Sequence, residues 1–198
     1  MHPSAAFRVE DEELLLKHLR QHPFASITAM VAGGLRVAHA PVVVRRTRDG
    51  LALDFHVSRG NALAPELSRG FRAVAVSLAA EAYVSPDWYE AADQVPTWNY
   101  VSVEAEGRVT SLDDDGLVAL LDDLSAQEEA RLRPKPPWTR GKMSPGRFEA
   151  MTAGIVGARL AVERLEGTTK LSQNKPQADR AGVAAALGDH PIATLMRE

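Results

Sequence analysis

The spacing of hydrophobic residues changes period several times along the chain, and each change marks a new element. Over residues 10–21, Leu15, Leu16 and Leu19 fall at helical spacing behind acidic residues, and Pro23 follows, which predicts one short opening helix. From residue 24 to 57 the texture becomes β-rich. It is broken by Gly33-Gly34 and Asp49-Gly50, which suit tight hairpins because glycine takes positive φ without strain. Leu51, Leu53, Phe55 and Val57 alternate as one face of a strand does. A short helix over 61–69 ended by Gly70 is expected next, then β runs over 72–78 and around 82–84. A loop holding Pro86 and Pro96 precedes a long strand over 97–112.

The clearest helix covers residues 113–132, where Leu117, Leu120, Leu121 and Leu124 fall at i, i+3, i+4 and i+7. Asp113, Asp114 and Asp115 stand at its start. Three consecutive carboxylates point in different directions there, so they read as a cap and not as a metal or catalytic cluster. Residues 133–146 hold Pro134, Pro136, Pro137 and Pro145 and should form an extended surface loop. A short helix over 147–153, a strand over 155–165, a polar stretch over 170–175 and helices over 177–187 and 191–197 complete the chain. No repeat or low-complexity segment appears. About six strands in consecutive antiparallel hairpins with short helices between them predict an α+β fold, a small closed or partly closed β-barrel with peripheral helices.

Composition narrows the chemistry. The 198 residues include no cysteine, which excludes a disulfide scaffold, a thiolate metal site and a cysteine nucleophile. Lys and Arg number 23 against 26 Asp and Glu, and a net charge of -3 argues against an obvious DNA binder, whose affinity comes from cations that displace counterions. No apolar run approaches a membrane span, and the N-terminus lacks a basic segment followed by an apolar one, so a cytoplasmic protein is the default expectation. The histidines, His2, His18, His22, His39, His56 and His190, have no partners at metal-motif spacing, and no metal site is expected. Hydrolase, P-loop and Rossmann motifs are absent from the sequence.

Four clusters exceed what folding alone requires. In FHVSRGN, a strand ending in Ser58, Arg59 and Asn61 before a helix would present donors and positive charge to a phosphate; the plainer reading is capping by Ser58 or Asn61. In VPTWNY, Trp98 and Tyr100 flank Asn99, so an aromatic could stack on a planar heterocycle while the amide reads its edge, or Trp98 could be a packing residue. AYVSPDWY adds aromatics that would hold the loop before Trp98. The run KLSQNK, from Lys170 to Lys175, carries more specific donors and acceptors than a linker needs.

Taken in order, AYVSPDWY, VPTWNY and KLSQNKPQADRAGV resemble the PaiB-type FMN-binding negative transcriptional regulators. These are a branch of the FMN-binding split-barrel flavoproteins, related to the pyridoxamine 5'-phosphate oxidase-like proteins. The likeness runs from the MHPSAAF start and the HPFASI strand through GIVGARLAVERLEG, nearly the whole chain. It implies one split-barrel unit over residues 1–198 with a C-terminal helical extension, and a homodimer that builds FMN sites at its interface. By the same resemblance, phosphate contacts fall on the segment from His39 to Val43 and on His56, Val57, Ser58, Arg59 and Asn61. Trp98, Asn99, Lys170, Ser172, Gln173 and Asn174 would meet the flavin ring or ribityl chain.

The chain departs from the family pattern twice. Arg59-Gly60-Asn61-Ala62-Leu63 stands where relatives carry Arg-Ala-Asn-Pro-x-Trp, and Val103-Glu104-Ala105-Glu106-Gly107 stands where they commonly carry histidine. Unscreened acidic groups near a phosphate would weaken FMN binding. Two other functions follow as alternatives. One is an FMN-dependent oxidoreductase, with His39, His56 and Tyr100 in segments expected to face the site; the other is a cofactor-free dimeric binding module. DNA contact, if made, would use the basic residues 131–147, among them Arg140 and Lys142; the plainer reading is a solvated loop that balances the acidic helix before it.

Overall fold

The computed structural model describes residues 3–197; Met1 and His2 of the MHPSAAF start, and Glu198, lie outside the described residues. The strands are β1 (Arg8–Val9), β2 (Phe24–Val31), β3 (Gly34–Pro41), β4 (Val43–Thr47), β5 (Gly50–Ser58), β6 (Phe71–Val84), β7 (Thr97–Ser111) and β8 (Ile155–Lys170). The helices are α1 (Glu12–Gln21), α2 (Asp114–Ala130), α3 (Arg147–Thr152), α4 (Gln177–Leu187) and α5 (Pro191–Arg197). All strand pairs are antiparallel, in the order β3-β2-β6-β7-β8-β5-β4, with β1 added to β8.

One residue makes this sheet roll. Its two edge strands, β3 and β4, are consecutive in sequence and joined only by buried Val42, so Pro41 and Val43 stand within about 7 Å of each other. A seven-strand path whose ends are tied so closely wraps into a split barrel. Ile27, Leu53, Phe55, Ala105 and Leu160 fill its interior. The alternation read in β5 holds: Leu53, Phe55 and Val57 point inward and Leu51 packs at the edge of the same cluster. The hairpin glycines take the expected positive φ, 90° at Gly33, 107° at Gly34 and 121° at Gly50.

Helices cover parts of the outside. Asp11 caps α1 by accepting from the Glu13 and Leu14 amides, and the helix buries Leu15, Leu16 and Leu19. Asp113 accepts from the Gly116 amide at 2.8 Å and starts α2, which lays Leu117 and Leu120 over Val43. The acidic triplet is thus a cap, as its spacing implied. On the outward side of β5, under α2, buried Asp54 accepts from Arg45 at 3.1 Å and from Arg159 at 2.7 and 2.8 Å. A second cluster joins α4 and α5 to the far ends of β6 and β8 through Val84, Leu171, Val183 and Ile192.

Several elements differ from their sequence signals. Eight strands form where about six were expected, because residues 24–58 fold into four strands and the two-residue β1 adds to β8; the runs over 72–78 and 82–84 instead join in one strand, β6, across an irregularity between Leu78 and Ala80, and β8 runs five residues past Leu165 to Lys170. The segment 61–69 is a turn with a 3-10 piece at Ala64–Glu66 instead of an α-helix, since Pro65 removes an amide from so short a segment. The loop after α2 contains a 3-10 turn at Arg140–Lys142. No described helix is long and apolar enough to cross a membrane.

Candidate functional site

The residues singled out in the sequence gather in two places. The first is the end of β5. Ser58 pairs with Ile155, the first residue of β8. Arg59 donates from Nε to the Ala153 carbonyl at 2.8 Å, and among the described residues its terminal nitrogens meet no protein partner. It lines a groove of about 440 Å³ together with Arg140, Phe148 and Thr152. The Ser58 and Asn61 side chains accept from the Gly60 and Leu63 amides, the local capping that was the plainer reading. With no α-helix over 61–69, the expected row of free helix-start amides is missing from this cradle. His56 is half buried, its Nδ1 is sealed from solvent without a partner, and burial lowers its pKa. Val43 and Val57 are buried, so only their backbone can face a ligand.

His39 stands elsewhere, on the outward face of β3, where Nδ1 lies 3.1 Å from Ser26 Oγ and the ring stacks near Phe24. Around it the outer face of β3, β2 and β6 is apolar. Phe24, Met30, Leu35, Val37 and Leu78 are each more than half exposed, and Met30 pairs with Leu35 while Val76 lies across from Ser26. A monomer that exposes such a contiguous face is unusual.

The second place is the opposite end of β8. A groove of about 290 Å³ is lined by Thr97, Lys170, Ser172, Asn174 and Lys175 as polar groups and by Phe7 and Tyr89 as aromatic walls. Lys170 Nζ hydrogen-bonds Thr97 Oγ1 and lies 5.9 Å from the Phe7 ring, and burial lowers its pKa. Lys175 Nζ bonds Gln94 Oε1 and sits 5.2 Å from the Tyr89 ring, whose hydroxyl is buried without a partner. Thr97, Tyr89 and Phe7 were not among the expected contacts, and Lys175 was expected only as part of the KLSQNK run. All four lie inside segments quoted from the sequence, and β1, which adds to β8, follows directly on Phe7.

Two expected contacts, Asn99 and Ser172, are buried, and a third, the exposed Gln173, is spent on its own chain. Successive residues of a strand face opposite sides, so Trp98 projects outward against Tyr83 while Asn99 is fully buried. One ring cannot meet both from the same chain. Asn99 Nδ2 donates to Ser172 Oγ at 3.0 Å, and the pair pins the KLSQNK segment to β7. Gln173 accepts from the Leu171 amide at 2.7 Å and donates to the Ala6 carbonyl at 3.2 Å, which ties the same segment to the N-terminal turn. These amides and the hydroxyl position the loop, and Ser172 lines the groove beside Thr97, Lys170, Asn174 and Lys175.

The carboxylates expected to repel a phosphate are screened in the case of Glu106. It accepts from Arg72 at 2.9 Å and from Arg164 at 2.7 Å, bonds that lower its pKa. Glu104 sits one strand position pair away, beside Val76 and Glu166. The expected weakening of flavin binding therefore loses its Glu106 half. Half of the basic residues over 131–147 are in ion pairs: Arg131 lies near Glu128, Lys135 near Glu129 and Arg140 3.2 Å from Asp122. Among the described residues no cluster of His, Asp and Glu could hold a metal.

An antiparallel split barrel carrying ammonium, guanidinium, amide and aromatic groups at its strand ends defines a flavin-binding class of protein. Comparison with known proteins agrees. Residues 1–164 match the family described as "Putative FMN-binding domain", and the chain belongs to that family, whose cofactor is FMN. It is 27% identical over 194 residues to protease synthase and sporulation protein PAI 2 of Bacillus subtilis, covering 97% of this chain and 92% of that protein. Among solved structures, the FAD and haem binding protein of Mycobacterium smegmatis shares the fold at 18% identity and a TM-score of 0.60, over 92% of this chain and 81% of that one. Flavocytochrome Anf3 of Azotobacter vinelandii does so at 18% identity and a TM-score of 0.60, over 91% and 78%.

Proposed function

We propose that the 198 residues act as one unit of an FMN-binding homodimer of the PaiB negative-regulator type, with each flavin seated between two chains. The observation that carries this reading is the placement of the two clusters. Arg59 follows the strand end paired with Ile155, Lys170 ends the same sixteen-residue strand, and a strand of that length spans about 50 Å when straight. Along the strand, that separation exceeds the length of a mononucleotide. The Lys170 groove, at about 290 Å³, is also at the small end for a cofactor site. A second copy supplies the missing half if it covers the apolar outer face of β3, β2 and β6, which includes His39.

The groups present fit the cofactor. Arg59 and Ser58 from one chain would hold the phosphate, a group of about -1.5 to -2 charge. Lys170, Asn174 and Lys175 from the other would meet the polar edge of the ring, with Tyr89 or the exposed Trp98 against its face. Asn99, Ser172 and Gln173 hold that loop in shape. FMN bound there supplies one- and two-electron redox chemistry, while the protein supplies orientation and charge. The relative PAI 2 bears a name tied to protease synthesis and sporulation, which supports the regulator reading for this chain.

The test is mixing. Arg59→Ala and Lys170→Ala chains should each lose FMN, seen in the flavin absorption bands and in the mass in solution. Co-refolded together, they should regain about a quarter of the wild-type sites, because half of the random dimers carry one intact site. A monomer that binds FMN tightly, or a mixture that regains nothing, would overturn the interface site. NADPH oxidation by the loaded dimer without specific promoter retention would replace the regulator with the oxidoreductase; a colourless dimer that ignores FMN would leave a binding module.

A further inference from the structure

A further groove belongs to neither cluster. It lies between α2 and the proline-rich loop that follows it, with a volume of about 710 Å³, inside the range of small-molecule sites. The face of α2 turned toward it carries Asp122, Ser125, Ala126, Glu129 and Ala130, at i, i+3, i+4, i+7 and i+8, the side of the helix away from Leu117, Leu120 and Leu124. Small side chains at Ser125, Ala126 and Ala130 leave the floor open.

The loop is built as a fixed arch. Glu129 accepts from the Trp138 amide at 2.8 Å and from Lys135 Nζ, Lys142 Nζ donates to the Pro137 carbonyl at 2.8 Å, and Arg140 pairs with Asp122 at the far end. These bonds use both carboxylates of the lining, so neither projects an uncompensated charge into the groove. Three cations, Arg133, Lys135 and Arg140, stand against these two carboxylates. Arg133 is the one of the three that makes no hydrogen bond or ion pair among the described residues. The exposed Trp138 indole and the rings of Pro134, Pro136 and Pro137 supply the apolar lining of the same groove.

We propose that this groove binds a small aromatic anion, a flat ring system bearing one carboxylate, with the Trp138 indole as the stacking face and the Arg133 guanidinium as the anchor. An indole and a single unpaired guanidinium lining one groove select that combination: an aliphatic acid lacks a ring to stack on Trp138, and a neutral arene leaves Arg133 unused. Arg140 closes this groove and also lines the groove of Arg59, so the occupant lies next to the proposed phosphate end of the flavin site without sharing it. The proposal stands whether or not the flavin reading does.

The experiment titrates 2-naphthoate into the full-length ¹⁵N-labelled protein and follows the indole N–H signals of Trp88, Trp98 and Trp138, the last assigned by its loss in Trp138→Phe. The Trp138 signal should shift and saturate. Arg133→Ala, a change on an exposed loop, should loosen binding about tenfold, and the neutral probe 2-naphthalenemethanol should bind wild type about tenfold more weakly than the acid. A Trp138 signal that does not saturate, an affinity unchanged in Arg133→Ala, or a response confined to Trp88 and Trp98 would each overturn the assignment.

Discussion

Asp54 shows how a single side chain can be unreadable in sequence and central in structure. It sits between Leu53 and Phe55, where alternation places it outward, yet α2 covers that face and leaves it buried between Arg45 and Arg159. Asp54→Ala would strand two guanidinium groups, themselves partly solvated, and should destabilise the fold by about 2–3 kcal/mol in urea unfolding. His18 is the residue-scale source of pH sensitivity. It is buried at 3.1 Å from Ser77 Oγ, and burial lowers its pKa from 6.5 to about 4. A histidine lowered on folding binds its proton more readily in the unfolded chain, so its stability contribution is complete above pH 6.5 and is lost as pH falls toward 4. Unfolding measured at pH 7.5 and 4.5 should differ by roughly 2 kcal/mol from this group after allowance for solvent screening, with His22 and His56 adding in the same direction. His18→Asn should flatten much of that slope. The sequence marked Asn99, Ser172 and Gln173 as chemically rich but could not show their direction, because whether an amide is spent on its own chain depends on which strand face it occupies.

Elements were legible where a single period ran unbroken. The caps of α1 and α2 and the lengths of α1, α2, α4 and α5 follow from local spacing, as does the β5 alternation, because these depend on contacts within a few residues or on one buried face. β7 was legible too, but segment 61–69 and the full lengths of β6 and β8 were not, since bulges and register are set by partners far along the chain. Gly107 illustrates this: a Cβ there would lie 1.8 Å from the Ala161 carbonyl oxygen, at the irregularity where β7 crosses β8. At the far end, α4 docks on the turn after β6 through a similar close approach, with a Cβ on Gly182 falling 2.3 Å from the Trp88 carbonyl oxygen. Buried Asp179 on the same helix accepts from the Glu90 and Ala91 amides at 2.8 and 3.1 Å. Asp179→Ala leaves those amides without their acceptor and should cost about 2 kcal/mol. If the groove at Tyr89 holds flavin, the same variant should also weaken FMN binding by an order of magnitude while the barrel stays folded, measured by flavin titration beside far-ultraviolet circular dichroism.

At the scale of the whole molecule, the exposed apolar face of β3, β2 and β6 is the feature that a single chain leaves unexplained. Leu35→Glu and Val37→Glu together should give a monomer by light scattering and should lose FMN, although neither residue lies at Arg59 or Lys170; a dimer that keeps its flavin would place the interface elsewhere. Reversal of Arg140 and Lys142 to Glu should leave promoter retention unchanged in a gel shift, because Arg140 is already paired with Asp122 and Lys142 with the Pro137 carbonyl. By itself the sequence determined the class of fold, the main helices, the hairpin turns and the family, since period, turn glycines and long motifs such as VPTWNY and KLSQNK are local patterns. Only the tertiary structure decided that Arg59 and Lys170 stand at opposite ends of β8, that Asn99 and Ser172 face inward, and that Glu106 is clasped by two arginines. Those facts come from strand register and barrel closure, which bring together residues tens to more than a hundred positions apart and leave no short-range trace in the chain.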